Sequence, residues 1–161
     1  MKTLISKAAI LIAATGIFAI QANAQNVSHE ASMRFTTDYS RAHLKNWKMR
    51  GDTCVASFKM DDRPYMAYYL SDGTWIKTER EIKHESTLPV SAQYTLKKGA
   101  YASWNLDKME LVRTPNTTLY VAYVDNHSGN PNQTEGAGYA RDRKLYFNTN
   151  GRLVKTERFS M

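Results

Sequence analysis

Gly73-Thr74-Trp75-Ile76-Lys77-Thr78-Glu79-Arg80 returns 78 residues later as Gly151-Arg152-Leu153-Val154-Lys155-Thr156-Glu157-Arg158, with the glycine and the Lys-Thr-Glu-Arg string identical. Just upstream, Tyr68-Tyr69-Leu70-Ser71-Asp72 matches Tyr146-Phe147-Asn148-Thr149-Asn150 at the same offset. A tetrapeptide can recur by chance. An aromatic pair, a turn and a terminal strand recurring in one register mark a duplicated unit. In each copy a β-prone run precedes the match, Val55-Ala56-Ser57-Phe58 and Val121-Ala122-Tyr123-Val124. Ser71-Asp72-Gly73 and Asn148-Thr149-Asn150-Gly151 read as turns in which glycine takes the positive φ. Each copy is therefore expected to be an antiparallel meander.

The β-prone runs align at an offset of 66 rather than 78, so copy two carries about 12 extra residues between its second and third strands. They fall within residues 125–141, where Asn126-His127-Ser128-Gly129-Asn130-Pro131-Asn132 has the composition of an exposed loop. Ahead of each meander lies a helix candidate. Residues 89–99 start on Pro89, carry Ala92, Tyr94 or Thr95 and Leu96 as an apolar stripe with Leu88, and stop at Gly99. Residues 28–39 place Ala31, Phe35 and Tyr39 at i, i+4 and i+8.

The N-terminus reads as an export signal. Lys2 and Lys7 precede an apolar run over residues 8–20, and Ala22-Asn23-Ala24 offers the small-x-small pattern of a cleavage site. Cleavage after Ala24 would leave about 137 residues, the size of one ordinary domain with its own core or of two very small ones. The run is shorter than the roughly 20 residues of a membrane span, and no second one follows. The expected organisation is a signal peptide at 1–24, a first repeat at 25–86, and a second at 87–161 with the inserted loop. The expected location is periplasmic or secreted.

The order helix, Trp47-containing strand, hairpin, Asp72-Gly73 turn and final strand, in tandem, resembles the beta-lactamase-inhibitor-like, PepSY-like proteins of Bacteroidetes. The most specific pieces are Tyr39-Ser40-Arg41-Ala42, the segment 68–73, and Leu88-Pro89 opening the second helix. Ser40 stands where that family usually has Pro, and the loop after Val124 is longer than typical. The resemblance implies an α+β fold in which two helix-plus-meander repeats build one curved sheet with the helices on one face. It implies no catalytic residue.

Searching for chemistry leads to the same place. No Gly-x-Ser-x-Gly elbow or phosphate-cradling glycine loop is present, and His29, His43, His84 and His127 stand singly. Cys54, the only cysteine, sits in an alternating strand and is expected to be buried and inert. Asp61-Asp62-Arg63-Pro64 reads as a turn, and residues 125–130 have oxygens without the alternating acids of a calcium loop. No metal, cofactor or catalytic residue is assigned. The net charge of +7, from 22 basic and 15 acidic residues, is scattered rather than clustered, which argues against nucleic acid.

What remains is aromatic surface. Period-2 alternation sends Cys54, Ala56, Phe58, Met60, Ala67, Tyr69, Leu145 and Phe147 toward the helices, and Lys59, Tyr68, Tyr123, Lys144 and Tyr146 to the opposite face. In the last strands it places Ile76 and Val154 inside, and Trp75, Lys77, Glu79, Leu153, Lys155 and Glu157 outside. The candidate partner-binding set is Tyr68, Trp75, Lys77, Tyr123, Tyr146 and Lys155 on the open sheet face, which together with the loop at residues 125–141 is expected to engage an envelope or extracellular protein as a non-catalytic, inhibitor-like binding module. The rival reading is a periplasmic sensor that binds a small molecule or peptide.

Overall fold

The computed structural model describes residues 27–126 and 142–159. The signal-peptide reading, and all of the insertion except its first two residues, lie outside them. A short helix α1 (His29–Asp38) is followed by strands β1 (His43–Arg50), β2 (Thr53–Met60), β3 (Arg63–Leu70) and β4 (Trp75–Glu81). A 3-10 turn leads into α2 (Val90–Lys98) and then β5 (Asn105–Arg113), β6 (Thr118–Asp125), β7 (Asp142–Phe147) and β8 (Leu153–Arg158). All eight strands form one antiparallel sheet in sequence order, an α+β meander continuous through both copies.

The helices begin and end where capping chemistry dictates. Ser28 occupies the N-cap of α1, its hydroxyl accepting from the Ala31 amide at 3.1 Å, and Tyr39 closes the helix. Pro89 and Gly99 bracket α2. Both helices are too short to persist alone and hold because one stripe is buried. Ala31 and Phe35 bury from α1, and Ala92 and Leu96 from α2. Tyr94, at the edge of the stripe, stays exposed.

Two cores result, one under each helix. Beneath α1 lie Cys54, Ala56, Phe58, Ala67 and Tyr69. There Phe35 meets Phe58 edge-on at 5.1 Å and Trp47 at 5.5 Å between ring centroids. Beneath α2 lie Met109, Ala122, Val124, Leu145 and Phe147, joined by Ile82 and Leu88. Cys54 is a buried free thiol, as the alternation in β2 requires.

The matching turns dock each half of the sheet on its helix. Gly73 (φ 83°) and Gly151 (φ 79°) close hairpins in which the strand amide before the turn bonds across it, Leu70 to Thr74 and Asn148 to Arg152. A Cβ on Gly73 would lie 3.0 Å from the Glu30 carbonyl oxygen, and one on Gly151 2.8 Å from the Ala92 nitrogen. Conformation and close approach both demand glycine, which explains its identity in the two copies. Elsewhere the copies differ: β2 and β3 are joined by Asp61 and Asp62 alone, both at positive φ, whereas β6 and β7 flank the insertion.

Alternation assigns the faces correctly except at the start of the last strand of each copy. Tyr68 pairs with Lys77 but Tyr69 with Trp75, so Ile76 is an extra, bulged residue; Val154 plays that part between Leu153 and Lys155. The bulge reverses parity on its far side. Trp75 and Leu153 therefore pack on the helix side, against the α1 and α2 cores, and not on the open face. Val154 is half exposed rather than inside, and Ile76 joins neither core.

Candidate functional site

Among the described residues neither helix covers the other face of the sheet, and that face repeats one side-chain arrangement three times. In each case a Lys-x-Glu lies on one strand with a tyrosine on the neighbouring strand, directly opposite the lysine. The first unit joins Tyr68 of β3 to Lys77 and Glu79 of β4. The Tyr68 hydroxyl donates to Glu79 at 2.6 Å, Lys77 pairs with the same carboxylate at 2.6 Å, and its ammonium lies 4.4 Å from the centre of the Tyr68 ring. The second joins Tyr123 of β6 to Lys108 and Glu110 of β5, with 2.7 Å from hydroxyl to carboxylate and 2.5 Å from ammonium to carboxylate. The third joins Tyr146 of β7 to Lys155 and Glu157 of β8. Its hydroxyl lies 2.5 Å from Glu157, to which Lys155 is also ion-paired.

The cation over the ring and the shared carboxylate reinforce one another. Each carboxylate is neutralised by its lysine and each phenol is held protonated. Burial first, and then the hydrogen bond to a carboxylate, push Tyr68, Tyr123 and Tyr146 well above the ordinary phenol range. Glu157 is held below the usual carboxylate range by Lys155 and then Tyr146. Single exposed ion pairs contribute little, but Glu110 is only 3% exposed and depends on Tyr123 and Lys108 for its compensation.

Of the six residues singled out in the sequence, five share this face: Tyr68, Lys77, Tyr123, Tyr146 and Lys155. They are not equally accessible. Tyr68 is buried to 7% exposure, whereas Tyr123 and Tyr146 are partly open and Lys155 is exposed. Phe159 adds an edge-on contact with Tyr123 at 5.5 Å, and Lys144 lies near both rings. The sixth, Trp75, is on the other side. Sequence reading missed Lys108 and Glu110, although a signal was there: of the four Lys-x-Glu strings, at Lys77, Lys83, Lys108 and Lys155, the three that lie within strands each form such a unit.

Between the first and second units the face opens into a groove of about 220 Å³, lined by Met66, Pro64 and Tyr65 on one side and Lys108 and Glu110 on the other. Glu81 and Glu110, both in its lining, are directly paired across β4 and β5, and Lys45 and Lys108 line it as well. Among the described residues no His, Cys, Asp and Glu group has the makings of a metal site, and no helix is long and apolar enough to cross a membrane.

An eight-stranded meander carrying two helices on one face is an arrangement seen in solved structures. A BLIP-like protein from Bacteroides fragilis matches over 81% of this chain and 84% of its own, with 21% identity and a TM-score of 0.67. A DUF2874 family protein from Bacteroides ovatus matches over 80% and 85%, with 19% identity and a TM-score of 0.67. The chain shares the fold of the BLIP-like and DUF2874 proteins of Bacteroides. A third match, to a Bacteroides eggerthii protein whose description suggests a periplasmic location, covers 81% and 88% at 14% identity and a TM-score of 0.65. At these identities the likeness is one of fold. No family model matches the sequence, and no curated protein does.

Proposed function

We propose that the protein is an exported, non-catalytic binding module, inhibitor-like in kind, that engages a protein partner through the open sheet face and the insertion at residues 125–141. The observation that carries this reading is the threefold Tyr-Lys-Glu arrangement on a face that neither helix of the described residues covers. Aromatic rings locked by hydrogen bonds and ion pairs lose little conformational entropy on binding, which is the property a contact surface needs. Tyr123 and Tyr146 are the anchors, Lys77 and Lys155 set orientation and salt dependence, and Tyr68 supports the floor. The BLIP-like description of one structural neighbour and the periplasmic description of another are consistent with this role.

The test is capture from the organism's envelope fraction, followed by measured affinity of the captured protein for variants. Tyr146→Ala should weaken binding by about 2 kcal/mol, against less than about 1 kcal/mol for Lys155→Ala. Unchanged affinity for Tyr123→Ala and Tyr146→Ala in a folded protein would move the binding surface elsewhere. The groove beside Met66 favours a second reading, in which a small molecule or peptide is bound there. Saturable protection of the protein against heat by such a ligand, lost on Met66→Trp and indifferent to Tyr146→Ala, would select it.

A further inference from the structure

Because α1 covers the core of copy one and α2 that of copy two, the helix side of the β4–β5 seam lies between them. There Thr78 and Arg113 stand opposite one another, and a cavity of about 230 Å³ opens between α1 and the sheet. Its lining is Arg34, Asp38, Tyr39, Trp75 and Arg113. The Arg34 Nε donates to both oxygens of Asp38, at 2.9 and 3.0 Å, which closes that ion pair and leaves the two terminal guanidinium nitrogens without a hydrogen bond among the described residues. Arg113 is exposed and has no carboxylate partner among the described residues. The cavity therefore carries one surplus positive charge.

The wall behind these cations is fixed. The Trp75 indole donates to the Thr78 hydroxyl at 3.0 Å, and that hydroxyl is also hydrogen-bonded to the Tyr39 hydroxyl. Tyr69 reaches Asp38 at 3.3 Å from beneath. Copy two shows that the repeat folds without any of this. Ala31 and Phe35 of α1 correspond to Ala92 and Leu96 of α2, so Arg34, Asp38 and Tyr39 correspond to Thr95, Gly99 and Ala100. Tyr69 and Trp75 correspond to Phe147 and Leu153. In copy two this corner holds Thr95, Gly99, Ala100, Phe147 and Leu153, while copy one places Arg34, Asp38, Tyr39, Tyr69 and Trp75 there and meets Arg113 of β5 across the seam.

We propose that this cavity is a binding site for a carboxylate carried on a flat apolar body. A guanidinium offers a planar fork that fits a carboxylate bidentately, one surplus charge matches a monoanion, and the Trp75 and Tyr39 rings suit an aromatic or similarly flat substituent. The site lies on the opposite side of the sheet from the Tyr-Lys-Glu face and needs no protein partner, so it stands or falls independently of the function proposed above. Two sources present this chemistry, a small aromatic acid and a peptide ending in an aromatic residue.

The experiment follows the indole N–H resonance of Trp75, assigned with Trp75→Phe, during titration with benzoate or with N-acetylphenylalanine against sodium chloride at matched ionic strength. A saturable shift with the carboxylates and not with chloride is expected. Arg113→Ala should weaken it about tenfold or more, with Arg113→Lys between the two because charge is kept and the fork is lost. Arg34→Gln serves as a second variant should Arg113→Ala melt early. The tighter of the two probes identifies the source. A shift that chloride reproduces, or one of equal affinity in both arginine variants, overturns the site.

Discussion

Trp75 and Tyr146 were indistinguishable as candidate anchors in the sequence, yet they do different work. Trp75 packs on the α1 core and bonds Thr78, so Trp75→Ala should cost about 3 kcal/mol of stability by chemical denaturation and leave open-face binding unchanged. Tyr146→Ala removes a partly exposed ring and should cost under about 1 kcal/mol. Tyrosine ionisation offers a second check. Tyr39, Tyr68, Tyr69, Tyr123 and Tyr146 all have raised phenol pKa values, mainly through burial. A raised phenol pKa favours the neutral form in the folded state, so its contribution is complete below the unfolded value of about 10 and is lost as pH rises above it. Stability should fall through that alkaline range, and phenolate absorbance from these five should appear in step with loss of circular dichroism. Phenolate formation by all ten tyrosines of the chain at about pH 10 in a protein still fully folded would contradict the burial described here.

At the scale of the element, what the sequence disclosed depended on whether local chemistry alone decides the outcome. Ser28, Pro89 and Gly99 bound their helices by capping, and Gly73 and Gly151 set their turns by φ, so these features were legible directly. Strand faces were legible wherever the period of two runs unbroken, as in β2. They failed at Trp75-Ile76 and Leu153-Val154, because a bulge changes the period without changing residue type. Two adjacent apolar residues just after a turn glycine were its only trace. The Lys108 unit was missed for another reason: its partner Tyr123 is distant in sequence, and only the β5–β6 register brings them together. The carboxylate cavity was equally invisible, since it needs α1, β4 and β5 at once. The glycine turns supply the element-scale prediction. Gly151→Ala forces a residue with a Cβ into positive φ and against the Ala92 backbone, and should cost more than about 2 kcal/mol, seen as a lower melting temperature. Gly51 also has positive φ, but a Cβ there would face open space, so Gly51→Ala should cost about half as much.

For the whole molecule the question is whether two repeats with two cores are two folding units. The seam argues that they are one. β4 and β5 share four registered pairs where β2 and β3 share eight, yet the chain crosses that seam with more than backbone. Ile82 leaves β4, its amide bonds the Met109 carbonyl at 2.8 Å, and its side chain is buried in the core under α2. Copy two thus borrows an apolar residue from the segment assigned to copy one. A fragment of residues 87–161 lacks Ile82 and exposes the β5 edge, while residues 25–86 keep Ile82 but have no core to bury it in and expose the edge of β4. The first fragment has 62 residues and the second 75, below or within the roughly 70–80 residues at which a single core becomes self-sufficient. Neither fragment should melt cooperatively alone, and mixing the two should restore part of the native circular dichroism. Beginning the second fragment at residue 81 should improve it, and Ile82→Ala in the full chain should cost about 2–4 kcal/mol. A sharp, reversible melt of residues 25–86 in isolation would show that copy one, with its closed set of Phe35, Phe58 and Tyr69, is independent. The sheet would then be continuous in geometry without being one cooperative unit.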